Sequence, residues 1–138
     1  MSKIKMIKLD DGSNSTILDK SMYCRGNVTT FKDNIYYTES EADTVTCCNL
    51  KGKQQWAFKN KQVLKSPQGI SVDNDGNTFV TGVGSHNVVV ISHDGKHFRE
   101  LLTNGNGLNR PCALDFDRVT NILLVLNESY KAFFFSVN

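Results

Sequence analysis

An excess of either charge is absent from this 138-residue sequence: 16 Lys and Arg stand against 14 Asp and Glu, a net charge of +2. That balance excludes a chain-wide electrostatic footprint for nucleic acid. Long apolar runs are also missing, and nothing approaches the roughly 20 residues of a membrane-spanning helix. The opening MSKIKMIKLDDGS alternates Lys with apolar residues, so neither a signal peptide nor an anchor is expected, and no membrane partner. Cysteine is sparse. Cys24, Cys47, Cys48 and Cys112 form no Cys-x-x-Cys, and His86, His93 and His97 do not bracket them at zinc-finger spacing. No metal is expected, and the cysteines read as free thiols of a reducing, cytoplasmic setting. The sequons at Asn14, Asn27 and Asn127 then read as chance matches. Gly-x-Ser-x-Gly, the phosphate-binding loop and His-Glu-x-x-His are all absent, the histidines are dispersed, and Cys112 has no evident base. No enzyme and no cofactor are expected.

What is present is β-sequence. Between Pro67 and Thr103 lie four short apolar runs, Gly69–Val72, Thr78–Gly82, Val88–Ser92 and Phe98–Leu102. Asp-Gly turns and a Gly/Ser/His/Asn loop separate them, and Asp-Gly supplies positive φ at little cost. Val88-Val89-Val90-Ile91 is β-branched throughout and favours an extended strand. The stretch reads as a four-stranded antiparallel meander.

The meander repeats. A shift of 44 residues brings Pro67 onto Pro111, Asp73 onto Asp117 and Val88-Val89-Val90 onto Ala132-Phe133-Phe134. A backward shift of 43 brings Asn77–Thr81 onto Asn34–Thr38 and Val88–Ile91 onto Val45–Cys48. Adjacent Cys47 and Cys48 therefore point to opposite faces of one strand. The N-terminus, Ile4–Leu9 then Thr16–Leu18, matches the last two strands of a unit. The units are Met1–Lys20, Ser21–Lys61, Gln62–Thr103 and Asn104–Asn138, with two, four, four and three strands. A period near 44 with four strands per unit fits the blades of a β-propeller. A β-sandwich would match the strand content but would not repeat in register. Asp73 and Asp117 close the turns after the inner strands, and Gly26 and Gly69 are placed near a crowded central axis.

The motif Pro67-Gln-Gly-Ile-Ser-Val-Asp-Asn-Asp-Gly-Asn-Thr-Phe-Val-Thr, followed by Asn87-Val-Val-Val-Ile-Ser and Asp94-Gly-Lys, resembles an NHL repeat of the kind at the C-terminus of tripartite-motif proteins. The likeness is closest from Pro67, good from Pro111 and weakest from Ser21, where Cys24-Arg-Gly stands in place of Pro-x-Gly. It implies an all-β, NHL-type propeller of four-stranded blades, about three of them here, as part of a six-bladed ring. It implies a non-catalytic module like the substrate-recognition propeller of tripartite-motif ubiquitin ligases, with RNA as an alternative ligand. A propeller lyase or hydrolase with a metal in its channel is the remote reading. The incomplete ring is expected to be a piece of a longer protein, with pairing of two half-rings and a strained small ring as the alternatives.

Blade geometry sorts the loops onto two faces. Inter-blade loops and second-to-third-strand turns share one, which is the expected partner-binding face. The inter-blade loops bring Lys20, Arg25, Lys59, Lys61, Lys65 and Arg110, and the turns add His86, Tyr130 and Lys131 together with Glu39, Glu41, Asp43 and Glu128. The other face carries Asp10, Asp11, Asp33, Asp73, Asp75, Asp94 and Asp117, expected to serve as turn residues.

Overall fold

The structure is a computed structural model that describes residues 3–19 and 26–137. Among the described residues, the regular structure is β apart from one 3-10 turn at Asn104–Asn106. A hairpin of β1 (Lys3–Ile7) and β2 (Asn14–Asp19) comes first. Blade I follows with β3 (Val28–Phe31), β4 (Asn34–Glu39), β5 (Thr44–Asn49) and β6 (Gln54–Phe58). Blade II holds β7 (Pro67–Val72), β8 (Thr78–Gly82), β9 (Asn87–Ile91) and β10 (Phe98–Leu102). Blade III holds β11 (Pro111–Asp117), β12 (Ile122–Asn127) and β13 (Ala132–Ser136). Every pairing is antiparallel and between sequence neighbours, as meanders require.

The sheets stack face to face in chain order, and residue alternation decides which side each residue serves. Tyr36, Val45, Cys47, Trp56 and Phe58 of blade I meet Ile70, Val72, Val80, Val89 and Ile91 of blade II. The opposite face of blade II sends Phe79, Val88 and Leu102 against Phe116, Leu123 and Val125 of blade III. Ile35, Tyr37 and Cys48 turn the other way and pack on Ile4, Ile17 and Leu18 of the hairpin. Cys47 and Cys48 thus enter different cores, as their adjacency predicts. Blade II is sandwiched, so β8 is buried along its whole length. Each such Val, Ile or Phe contributes roughly 1.5–3 kcal/mol of burial. The architecture is a partial β-propeller.

Close contacts fix the blade spacing. The inner strands β7 and β11 pass so near each other that a Cβ on Gly69 would lie 2.8 Å from the Leu114 amide nitrogen and 2.9 Å from Ala113 Cα. Gly26 differs from expectation. A Cβ there would strike the Thr38 carbonyl of its own blade, so this glycine permits pairing within blade I and not an approach across the axis. Trp56 lies beneath the β9–β10 turn and donates from Nε1 to the His93 carbonyl at 3.0 Å. Phe58 meets Phe98 edge-on at 5.3 Å.

Candidate functional site

The inter-blade face is assembled by a repeated backbone device. Asp43, His86 and Tyr130 occupy equivalent places in the turns β4–β5, β8–β9 and β12–β13, and all three have positive φ, at 53°, 54° and 65°. Ser66 and Arg110, each just before the proline that opens an inner strand, also have positive φ, at 51° and 49°. The two sets interlock. The Ser66 amide donates to Asp43 Oδ1 at 2.8 Å, and the Arg110 amide donates to His86 Nδ1 at 3.0 Å. In each case the turn of one blade accepts the N–H at the threshold of the next. The carbonyls of Ser66 and Arg110 accept from Val83 and Glu128, in the turn of the blade they lead into. Each inter-blade loop is therefore latched to both neighbouring blades.

Two buried asparagines hold the loops from beneath. Asn87 Nδ2 donates to the Val63 carbonyl and to Glu100 Oε2, both at 2.7 Å, while its Oδ1 accepts from Ser85. Asn127 Nδ2 donates to the Gly107 carbonyl and its Oδ1 accepts the Asn109 amide, both at 3.1 Å. Ser85 Oγ also accepts the Lys65 amide at 3.0 Å. Buried amides of this kind are costly to leave unpaired. Sequence reasoning missed Asp43, Ser85, Asn87 and Asn127 as organisers of this face. The spacings that relate 43 to 86 to 130, and 66 to 110, were the available signal.

The electrostatics of the face are more mixed than the sequence suggests. Arg110 Nε lies 2.6 Å from Glu128 Oε2. The Glu128 carboxylate beside it raises the guanidinium pKa, and the guanidinium holds the carboxyl below its usual range. Arg110 is thus a paired charge. Glu39 is buried, with 7% of its surface exposed, and adds no surface acid. Lys59, Lys61, Lys65 and Lys131 are exposed, His86 is half-buried, and Tyr130 is 89% exposed. The structure brings Lys65, His86, Arg110 and Tyr130 into one row through Ser85, the His86 latch and Glu128. Lys20 and Arg25 lie outside the described residues. A hollow of about 410 Å³ lined by His86, Asn104, Gly107, Leu108 and Asn109 flanks the row. A second, of about 340 Å³, is lined by Gly26, Asn27, Gln68 and Glu128.

The opposite face is explained by turns. Asp73 accepts the amides of Asp75 and Asn77, Asp94 that of Lys96, and Asp117 that of Val119. Hydrogen bonds from Ser13, Ser92 and the Val119 amide are the leading causes that hold Asp11, Asp94 and Asp117 below the usual carboxylate range. Among the described residues, no three His, Cys, Asp or Glu side chains group to hold a metal. Arg118 does unexpected work here. It leaves blade III, donates from Nε to the Val72 carbonyl of blade II at 3.0 Å, and sets its guanidinium 4.8 Å from the Phe31 ring of blade I. One side chain thus ties three inner strands. Burial pushes the Cys47 thiol up to about 11 and also raises Cys112.

The latch predicts a substitution pattern. His86→Asp should leave stability within about 0.5 kcal/mol of the parent, because Asp43 makes the equivalent bond. His86→Ala should lose about 1 kcal/mol, the worth of one hydrogen bond. Urea unfolding of the two variants against the parent checks it.

No family model and no curated protein matches the chain. Solved structures do. A chain of the nidogen/laminin complex superimposes with TM-score 0.82 at 23% identity, covering 97% of this chain and 52% of that one. A catalytically inactive virginiamycin B lyase from Staphylococcus aureus, solved with quinupristin, gives TM-score 0.70 at 20% identity and covers 98% of this chain and 48% of that one. The selenomethionine form of the same lyase gives 0.67 at 20% identity. Both proteins are propellers, and the likeness is one of fold. The chain spans about half the length of each.

Proposed function

We propose that this chain is a non-catalytic protein-interaction module of NHL type, comparable to the substrate-recognition propeller of tripartite-motif ubiquitin ligases, and that it works in the cytoplasm. In this reading it takes an acidic, extended segment of a partner protein on its inter-blade face. The observation that carries the reading is Tyr130, 89% exposed at a left-handed turn position equivalent to that of His86, whose neighbour Ser85 holds the amide of the exposed Lys65. Non-glycine residues held at positive φ concentrate where geometry is used for recognition, and exposed tyrosine is a common interface anchor. The hollows beside the row offer seats for side chains. The nidogen chain, similar in fold, was solved in a complex with laminin. RNA is the less favoured ligand, because the Glu128 pair takes Arg110 out of the free cations.

Selection of a displayed random-peptide library on the intact chain tests the proposal. Acidic peptides should be enriched, and Tyr130→Ala or the pair Lys61→Glu, Lys65→Glu should weaken their binding tenfold or more. Enriched peptides indifferent to both variants would sink it. Tight binding of a mixed-sequence single-stranded RNA that falls steeply with salt would favour the other ligand.

A further inference from the structure

Blade III is covered on one side only. Phe116, Leu123 and Val125 face blade II, while Ile122, Leu124, Leu126 and Phe134 alternate to the other side. Among the described residues no element packs there, and Phe134 is 74% exposed. Asp115, Leu124 and Phe134 stand in register across its three strands. The other end of the stack is the hairpin. Ile4 turns into blade I, so Lys3, Lys5 and Ile7 alternate outward, with Ile7 60% exposed. These two surfaces have opposite senses. Blade III shows the face that blades I and II each press onto their successor, and the hairpin shows the face that a successor presses onto its predecessor. They are the pair that meets at every internal junction. At the same end, Tyr130 stands in the place from which Asp43 and His86 hold the next threshold amide.

We propose that two copies of this chain join head to tail, with the open face of blade III in each against the outward face of the β1–β2 hairpin in the other, and close into one ring about a two-fold axis. Three observations argue for a second copy as the occupant. The open faces are complementary in charge, with Asp115 and Asp117 on one and Lys5 on the other. Each also carries exposed apolar side chains, Phe134 and Ile122 against Ile7. The chain spans 52% and 48% of two propeller chains of similar fold, so two copies supply the length of one. Contacts between unlike surfaces close when the rotation permits and otherwise run on as filaments.

Light scattering coupled to size exclusion, with dilution, tests this on the 138-residue chain. The expected mass is that of two copies. Asp115→Lys and Lys5→Asp should each weaken association tenfold or more, and the two together should restore it to within about threefold, since opposed charges exchanged across one contact compensate. Both positions are exposed, and circular dichroism checks that each variant folds. As a second readout, a mixture of Lys5→Cys and Asp115→Cys chains should form an intermolecular disulfide on oxidation. A monomer at every concentration overturns the proposal, as does a mass above two copies. A dimer insensitive to both charge changes also overturns it, and would point to pairing through the free edge of β13.

Discussion

Trp56→Ala should cost about 3–5 kcal/mol, the range for removing a large buried aromatic. The indole lies on the outer strand of blade I, yet it is buried, because the β9–β10 turn of blade II closes over it. Three contributions are lost together. The ring leaves the core it shares with Tyr36, whose centroid is 6.3 Å away. The His93 carbonyl loses its donor. The turn itself loses its floor, since a Cβ on Gly95 would come within 2.5 Å of Trp56 Cγ. Gly95 is fixed twice over, by this approach and by a φ of 74°. Trp56→Phe should separate the terms, keeping most of the burial and losing about 1 kcal/mol for the hydrogen bond. Gly95→Ala should destabilise by about 1–3 kcal/mol in the parent through overpacking and backbone strain. In the Trp56→Ala background the overpacking share should vanish, leaving the strain alone. Urea titrations of the four proteins measure this coupling. A Gly95→Ala effect equal in both backgrounds would show that the turn does not rest on the indole.

The strands of blade II were legible because each local signal agreed. Val88–Ile91 is β-branched, Asp-Gly marks both turns on one face, and the observed strands Thr78–Gly82 and Phe98–Leu102 coincide with the apolar runs. The opposite sides taken by Cys47 and Cys48 followed from alternation alone. The latches were harder to read, for a physical reason. What repeats is a backbone conformation and an accepting atom, and these are met by a carboxylate at Asp43 and an imidazole at His86. A comparison by residue type misses that equivalence, while one by spacing could have found it. The pairing of Arg110 with Glu128 was hidden because it joins an inter-blade loop to a turn beyond the next strand pair, and it takes one of the expected cations of the face into an ion pair. Arg118 left no trace in the sequence around it, since its partners Val72 and Phe31 belong to two other blades.

Gly69→Ala should cost about 1–3 kcal/mol and Gly69→Val more, because the space a Cβ would need is occupied by backbone, which cannot swing aside as a side chain can. Leu114 N, Ala113 Cα and Ala113 C lie 2.8, 2.9 and 3.0 Å from the position it would take. The junction has little slack. The Gly69 amide donates to Thr81 Oγ1 at 2.7 Å within blade II, and Ser71 Oγ accepts the Phe116 amide at 3.1 Å between blades. A methyl group at 69 must therefore push β11 away and strain both bonds. Gly84→Ala is the milder comparison: its Cβ would meet Lys65 Cβ at 3.2 Å and Ser66 Oγ at 3.4 Å, contacts that a shift of a few tenths of an ångström relieves and not an overlap with a neighbouring strand, and the loss should stay below about 1 kcal/mol. Chemical denaturation compares the three. The expected difference has a consequence for the inter-blade face. β11 begins one residue after Arg110, so displacing it pulls the Arg110 amide from His86 and shifts the Arg110–Glu128 pair beside Tyr130. Gly69→Ala should thus weaken peptide binding at the face although residue 69 is buried and touches no ligand, whereas Gly84→Ala, on the face itself, should disturb the latch less. Equal effects of the two would mean that blade spacing at the axis does not set the geometry of the loops above it.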